Sequence, residues 1–462
     1  TLASIRNEGR RMSNVYRFDR RSFLKQAGIA AVAGSLGTAT SIQAQENGAS
    51  RSSGSGYNFD EIYNRIGTDC SKWDGQIERW GEQLKIPMGV ADMDFRVAPA
   101  ITDALKKRID HEVYGYMAVP DSYRDSIVNW NERRYGTVIE RDMLQSSPAL
   151  LPGLLAALRA FNPPGAKVVM QTPGYNGFFS TIRKGFVIEE NPLREVNGVY
   201  EMDFDDLDRK LAQDDVHTFI LCNPHNPVGN CWDRATLTEL GELCARHNVI
   251  VLADEIHCDF VNAGQEYVPY ANLADDLVMN SVTFKSASKS FNLAAFKDAY
   301  MFSHNPEFMS RIRAVGDNAT VNSLGMIGSQ AALEDGDDWM DALQVYLSDN
   351  AAYASAFINE QIPHMSCNRP EGTYLAWLNV EPLIERIGAV ETAAAETAVR
   401  GPDQDEVTPE MIAERYLIET SGVKLNPGSA YWGSGRMRMN LGLARPLLEE
   451  ALGRIQGAMQ QA

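Results

Sequence analysis

SVTFKSASKSFNLAAFKDAY, residues 281–300, decides how the rest of the chain is read. Ser281, Val282, Thr283 and Phe284 have the character of a buried strand end. Ser286-Ala287-Ser288-Lys289 follows as a short polar turn, and an apolar segment from Phe291 to Phe296 closes the stretch. A lysine so placed is partly desolvated, which lowers its pKa and frees the amine for Schiff-base chemistry. Taken alone it reads as a surface lysine at a strand end, because lysine is mostly exposed. The segments upstream decide against that reading.

Three more apolar runs precede it, each ending in a polar loop. Residues 167–171 end at Thr172-Pro173-Gly174-Tyr175, and residues 218–222 at Asn223-Pro224-His225-Asn226-Pro227-Val228-Gly229. Residues 249–253 end at Asp254-Glu255-Ile256-His257, after a helix with Leu237, Leu240, Leu243 and Cys244 at helical spacing. Continuous apolar strands alternating with helices predict an α/β chain built on a mostly parallel sheet, whose ligands bind at the strand carboxyl ends. Tyr175, Asn226, Asp254 and Lys289 all stand at such ends. Together they suit an aldehyde cofactor held on a lysine. Asp254 would pair with a ring nitrogen, Asn226 would donate to a ring hydroxyl, and Tyr175 would stack on the ring face. For a phosphate, Pro152 in the first turn marks a helix start whose free amides, at Leu150 and Leu151, can hold an anion, with Ser286 and Lys297 to complete the site. Singly, Asn226 reads as a loop amide between prolines and Asp254 as a cap or salt-bridge partner; their order on successive strands favours the site.

NPHNPVG, ADEIH and SASKSFN, with GRMRMN at 435–440, resemble the fold type I, class I/II aminotransferase superfamily of pyridoxal phosphate (PLP) enzymes. VADMDF at 90–95, VYGY at 113–116, EGTYLAWL at 371–378 and LNPGSAYWG at 425–433 are similar to its MalY/PatB branch of carbon-sulfur lyases of the cystathionine beta-lyase type. The resemblance runs from about Asn58 to the C-terminus. It implies an aspartate aminotransferase-like fold, with a large PLP-binding domain over residues 99–330 and a smaller α/β C-terminal domain over 331–462, which the N-terminal segment 57–98 joins. It makes Lys289 the Schiff-base lysine and proton-transfer base, Asp254 the pyridinium partner, Asn226 the ligand of the ring oxygen and Tyr175 the stacking ring. His257 stands near the cofactor where aminotransferases often have tyrosine, and Lys297 where many have a phosphate-binding arginine. Ala149 and Leu150 replace the usual Gly-Val of the phosphate loop, so contacts there would be through the backbone. Arg438 matches the arginine that grips the substrate carboxylate, and Ala91 falls in the substrate-contacting VADMDF segment. Tyr116 matches a tyrosine that reaches the neighbouring subunit's phosphate and substrate site, which implies a homodimer with shared sites. The activity implied is a carbon-sulfur beta-lyase acting on a small amino acid. An aminotransferase using the same lysine is the alternative, and an exported binding protein that has lost catalysis is a third reading.

The remaining features bound this reading. A net charge of −18 over 462 residues argues against nucleic acid or anionic lipid as the main partner. Six cysteines show no metal-ligand spacing and read as mainly free, buried thiols. Arg20-Arg21-Ser22-Phe23-Leu24-Lys25, then an Ala/Gly-rich run and Ala44 at a plausible cleavage point, resembles a twin-arginine export signal over residues 1–44. The run is too short and polar for a stable membrane span. Such a signal implies recognition by the twin-arginine machinery, folding in the cytoplasm and a periplasmic or exported destination. Residues 45–56 read as a flexible linker. Asp92 and Asp94, two apart in an extended piece, fit either paired acid/base groups or turn-forming and capping residues. Residues 381–408 form an acidic, Ala-rich tract that reads as a solvated insertion or long loop.

Overall fold

The computed structural model describes residues 56–196, 198–316, 321–400 and 404–460. The expected leader lies outside them, as does nearly all of the linker.

The four apolar runs form the centre of a seven-stranded sheet. Its strands are β1 (Leu144–Ser147), β2 (Lys167–Thr172), β3 (Val187–Pro192), β4 (Val216–Cys222), β5 (Ile250–Asp254), β6 (Ser281–Lys285) and β7 (Ala299–Phe302). They lie in the order β1-β7-β6-β5-β4-β2-β3, with β7 antiparallel to both neighbours and the other pairings parallel. Alternate residues serve opposite faces, as the two-residue period of a strand requires. Val169, Phe219, Leu221, Val251 and Ala253 join one core. Met170, Ile220, Leu252, Val282 and Phe284 join the other. The helix α1 (Leu150–Phe161) covers the second face through Leu154, Leu158 and Phe161, with Pro152 in its first turn as expected.

A smaller antiparallel sheet follows, built from β8 (Ser366–Cys367), β9 (Leu375–Asn379), β10 (Asn426–Pro427) and β11 (Arg436–Asn440) in the order β8-β9-β11-β10. Its apolar core takes Ala351 and Ile358 from the helix Asp337–Gln361, Leu417 from Pro409–Ser421, and Leu448, Leu452 and Ile455 from Arg445–Met459. Ile86–Pro87 pairs in parallel with Val423–Lys424. The VADMDF segment is thereby led between the two sheets' strand ends.

The tract at 381–408 corrects the expectation of a solvated loop. Glu381–Arg386 and Ala389–Val399 are helices, and Leu383, Ile384, Ala389, Ala393 and Val407 are buried in the core of the smaller sheet. Ala, Leu and Glu are strong helix formers, and the small alanines allow close packing against Pro409–Ser421 while Glu396 faces Arg415 at the surface. Acidic composition had masked a buried stripe. The six cysteines are free thiols, with Cys222, Cys244, Cys258 and Cys367 buried and Cys70 and Cys231 partly so.

Candidate active site

The carboxyl ends of β2, β4, β5 and β6 open into one cavity of about 650 Å³. That volume lies within the range of small-molecule and cofactor sites. Shallower grooves of about 850 and 860 Å³ elsewhere are larger, but neither gathers buried titratable groups. Tyr175, Asn226, Asp254, His257, Lys289, Lys297 and Arg438 all line the cavity, with Ala91, Leu150 and Leu151.

Local structure explains the convergence. Ser286 caps a single helical turn, Ala287–Ser290, by accepting from the Ser288 N–H at 2.9 Å and donating to the Asp298 carbonyl at 2.6 Å. That turn lifts Lys289 out of β6 and over the end of β5. Register sets Asp254 level with Cys222 of β4 and Phe284 of β6, so its carboxylate stands at the mouth of the sheet. Lys289 Nζ donates to the Ala91 carbonyl at 2.7 Å. On β11, paired with both β9 and β10, Arg438 donates through Nη1 to Asn226 Oδ1 and through Nη2 to the Gly89 carbonyl, each at 2.9 Å. Asn226 thus has its oxygen occupied, and its amide N–H groups are what it can offer a ligand.

The electrostatics are those of a ligand-binding site. Burial brings the Lys289 ammonium down to about 8; Arg438 and Lys297 push the same way, while Asp92 and Asp254 oppose. Burial pushes the Asp254 carboxyl up to about 7, against the Ile256 N–H that favours its charged form. His257 is depressed well below the usual imidazole range by burial, and its Nδ1 is buried without a hydrogen-bond partner. Arg438 is 3% exposed and, among the described residues, no carboxylate lies within ion-pair distance of it. A buried guanidinium held only by neutral oxygens calls for an anion. Lys297 adds a second cation to the cavity lining, from a left-handed backbone conformation at φ 55°. Two cations, one of them bound to Asn226, gathered in one cavity with a carboxylate, an amine and the start of α1, match a ring that bears a phosphate and an aldehyde and a substrate that bears a carboxylate.

Two expectations change. Ser286 does not line the cavity, since its hydroxyl is spent on the cap and on Asp298; Ser288, two residues on, lines it instead. Asp92 and Asp94 are neither an acid/base pair nor caps. Asp92 pairs with Arg65 at 2.7 Å, and Asp94 with Arg65 at 3.0 Å and Lys72 at 2.7 Å. Tyr116 is fully exposed and lies away from this chain's own cavity lining. Sequence reading missed Asn426 and Tyr431, which line the cavity beside Arg438; the Tyr431 ring lies 4.5 Å beneath the guanidinium. Both fall within LNPGSAYWG, a motif that was quoted without assigning these roles.

Residues 84–455 match the family described as Aminotransferase class I and II. The cystathionine beta-lyase PatB of Bacillus subtilis is 35% identical over 407 residues, covering 87% of this chain and all of that protein. The protein MalY of Escherichia coli is 30% identical, covering 86% of this chain and 97% of its own. Among solved structures, the PLP-bound C-S lyase of Staphylococcus hominis superposes with a TM-score of 0.75 at 28% identity, over 87% of this chain and 98% of that one.

Proposed function

The chain belongs to the class I and II aminotransferase family, and from that premise we propose that it is a PLP-dependent carbon-sulfur beta-lyase of the cystathionine beta-lyase type. The observation that carries the site is the half-buried Lys289 amine and the buried Asp254 carboxylate lining one cavity with a buried arginine that has no carboxylate partner among the described residues, and the likeness to a cystathionine beta-lyase supports the lyase chemistry. When bound, PLP supplies an electron sink for the bond broken at the substrate's α carbon.

The chain's own residues do the rest. Lys289 would hold the cofactor by its aldehyde, and its free amine would take the α proton; an amine near 8 is matched to that task at neutral pH. Asp254, once faced by a ring cation, regains the charge that burial opposes. Asn226 would donate to the ring oxygen and Tyr175 would cover the ring face, while the α1 amides of Leu150 and Leu151, with Ser288 and Lys297, would hold the phosphate. Arg438 binds the substrate carboxylate, with Tyr431 beneath it. In the lyase reaction the α C–H and β C–S bonds break, the electron pair of the latter leaves on sulfur, and hydrolysis of the released enamine gives pyruvate and ammonia.

Incubation with cystathionine or cysteine and no keto acid tests this. Pyruvate in equal amount with homocysteine from cystathionine, or with hydrogen sulfide from cysteine, is expected. No product until a keto acid is added would overturn the lyase in favour of an aminotransferase.

A homodimer with shared sites is part of the proposal. Ile109 at a helix end and Val113, Tyr114 and Tyr116 in the loop after it expose apolar surface, with Tyr114 donating to the Ile109 carbonyl at 2.7 Å. Large apolar side chains exposed within so short a stretch support a protein contact, and Tyr116 would enter the neighbouring copy's site. Export of the folded chain is supported by Arg20-Arg21-Ser22-Phe23-Leu24-Lys25. Cell fractionation is expected to find the protein outside the cytoplasm, and Arg20→Lys/Arg21→Lys is expected to hold it inside.

A further inference from the structure

The carbonyl that receives the Lys289 amine belongs to a segment fixed from several directions. Asn440 Nδ2 donates to the Val90 and Asp92 carbonyls at 2.6 and 2.7 Å. Asn292, three residues beyond Lys289, accepts from the Met93 N–H and donates to the Met93 and Phe95 carbonyls. Tyr374 donates to the same Ala91 carbonyl as Lys289, at 3.2 Å. Beneath these contacts lies a cluster of four charges. Lys72, with no exposed surface, donates to Asp94 at 2.7 Å and to the Asp92 carbonyl at 2.9 Å. Arg65 forks between Asp92 and Asp94 and reaches the Met93 carbonyl at 2.9 Å, and Trp73 Nε1 donates to Asp94 at 3.1 Å.

Two lysine or arginine cations against two carboxylates is more ionic apparatus than a loop needs to stay in place. A buried ion pair is weak evidence for stability, because desolvation consumes most of its Coulomb gain. Its position is more informative. Asp94 is anchored by Lys72, Arg65 and Trp73, whereas Asp92 has Arg65 as its one ion-pair partner among the described residues and is about a quarter exposed on the side chain. Asp92 directly follows the residue that holds the Lys289 amine.

We propose that Asp92, its carboxylate held by Arg65, is a positioning residue that sets the protonation of Lys289 from outside the cofactor cavity. Asp94 and Lys72 form the fixed base on which that pair is mounted. The inference rests on the reading of Lys289 as the amine that captures the cofactor. The charged and titratable groups around that amine are Asp254 and His257 from the β5 end, Tyr175 after β2, Arg438 from β11, Tyr374 just before β9, which shares the Ala91 carbonyl, Lys297 from the loop after its own helical turn, and Asp92, next to Ala91 and outside the cavity lining. Of the charges among them, Asp92 is the strongest influence that favours the ammonium. Removing the Asp92 charge therefore favours the free amine. Removing the Arg65 charge favours the ammonium twice over, by deleting a nearby cation and by leaving Asp92 unneutralised.

The test uses the full chain stripped of cofactor and reloaded with pyridoxal phosphate between pH 6.5 and 10, about the span over which such an amine titrates, following capture by absorbance. In the unaltered protein, capture is expected to rise with pH through a midpoint near 8 and to level off about one pH unit higher. Asp92→Asn is expected to move the midpoint down by about half to one pH unit, and Arg65→Gln to move it up by a similar amount. A segment merely loosened by substitution would move both midpoints the same way, so shifts in the same direction overturn the proposal, as does an unmoved midpoint in Asp92→Asn. If Arg65→Gln does not fold, the downward shift in Asp92→Asn alone supports it. Absence of any capture by the unaltered protein is a different failure, that of the site reading itself.

Discussion

Lys289 and Asp254 are each held near neutrality by the same cause, loss of water, and each needs the other's charge or a ligand's to recover. Lys289→Ala is expected to abolish covalent capture, so that borohydride treatment leaves no cofactor on the chain, and to cut turnover by about 10²-fold or more. Asp254→Asn keeps the shape but not the charge; a loss of about 10²–10³ in kcat, with cofactor still captured, is the expected result. Asp254 also gives the cofactor-free protein a pH signature. Its carboxyl binds a proton more tightly folded, at about 7, than at its ordinary 3.8. The folded chain therefore holds the extra proton across that window, and this group's contribution to stability falls as pH rises through it. Thermal melts of the cofactor-free protein from pH 4 to 7 check this, since Asp254→Asn removes that part of the slope.

Elements matter here for where they end. Gly89 shows the tolerance: a Cβ built there would lie 2.1 Å from Asn426 Oδ1, in the backbone whose carbonyl holds Arg438. Gly89→Ala must displace either Asn426 or that carbonyl. A charge-assisted hydrogen bond is worth about 1.5–3 kcal/mol, so KM for the amino acid is expected to rise about tenfold or more while the melting temperature moves little, as steady-state kinetics would show. The strand ends carrying Tyr175, Asn226, Asp254 and Lys289 were legible because a buried parallel strand is a short apolar run, and the polar residue after it has nowhere else to point. The helices within 381–408 were not legible by composition, because acidic residues on one face outweighed the apolar stripe of Leu383, Ile384, Ala389 and Ala393. Ser286 and Ser288 could not be told apart from sequence, since which hydroxyl caps the turn and which faces the cavity depends on where the turn begins. The Arg65 and Lys72 cluster had no signal beyond the paired carboxylates, its partners being some 20 to 30 residues away in the chain.

At the scale of the whole molecule, the proposed sharing of sites between copies would make activity a property of the pair. Mixing Lys289→Ala chains with Tyr116→Ala chains is expected to restore about a quarter of full activity, because random pairing makes half the dimers mixed and each mixed dimer has one complete site. Independent sites would restore nothing. The chain is acidic overall, yet it turns cations inward at the cavity, so anionic ligands are drawn by local rather than net charge. The sulfur atoms have the opposite fate. Burial raises the Cys231 and Cys367 thiols to about 12 and pushes Cys222, Cys244 and Cys258 up as well. The nucleophile in disulfide exchange is the thiolate, which these groups almost never form. An Ellman-type reagent is expected to count at most two sulfhydryls in the native protein, Cys70 and Cys231, and six after denaturation. A folded chain of this kind can enter oxidising surroundings and stay reduced, with no oxidoreductase to guard it and no cross-link to scramble.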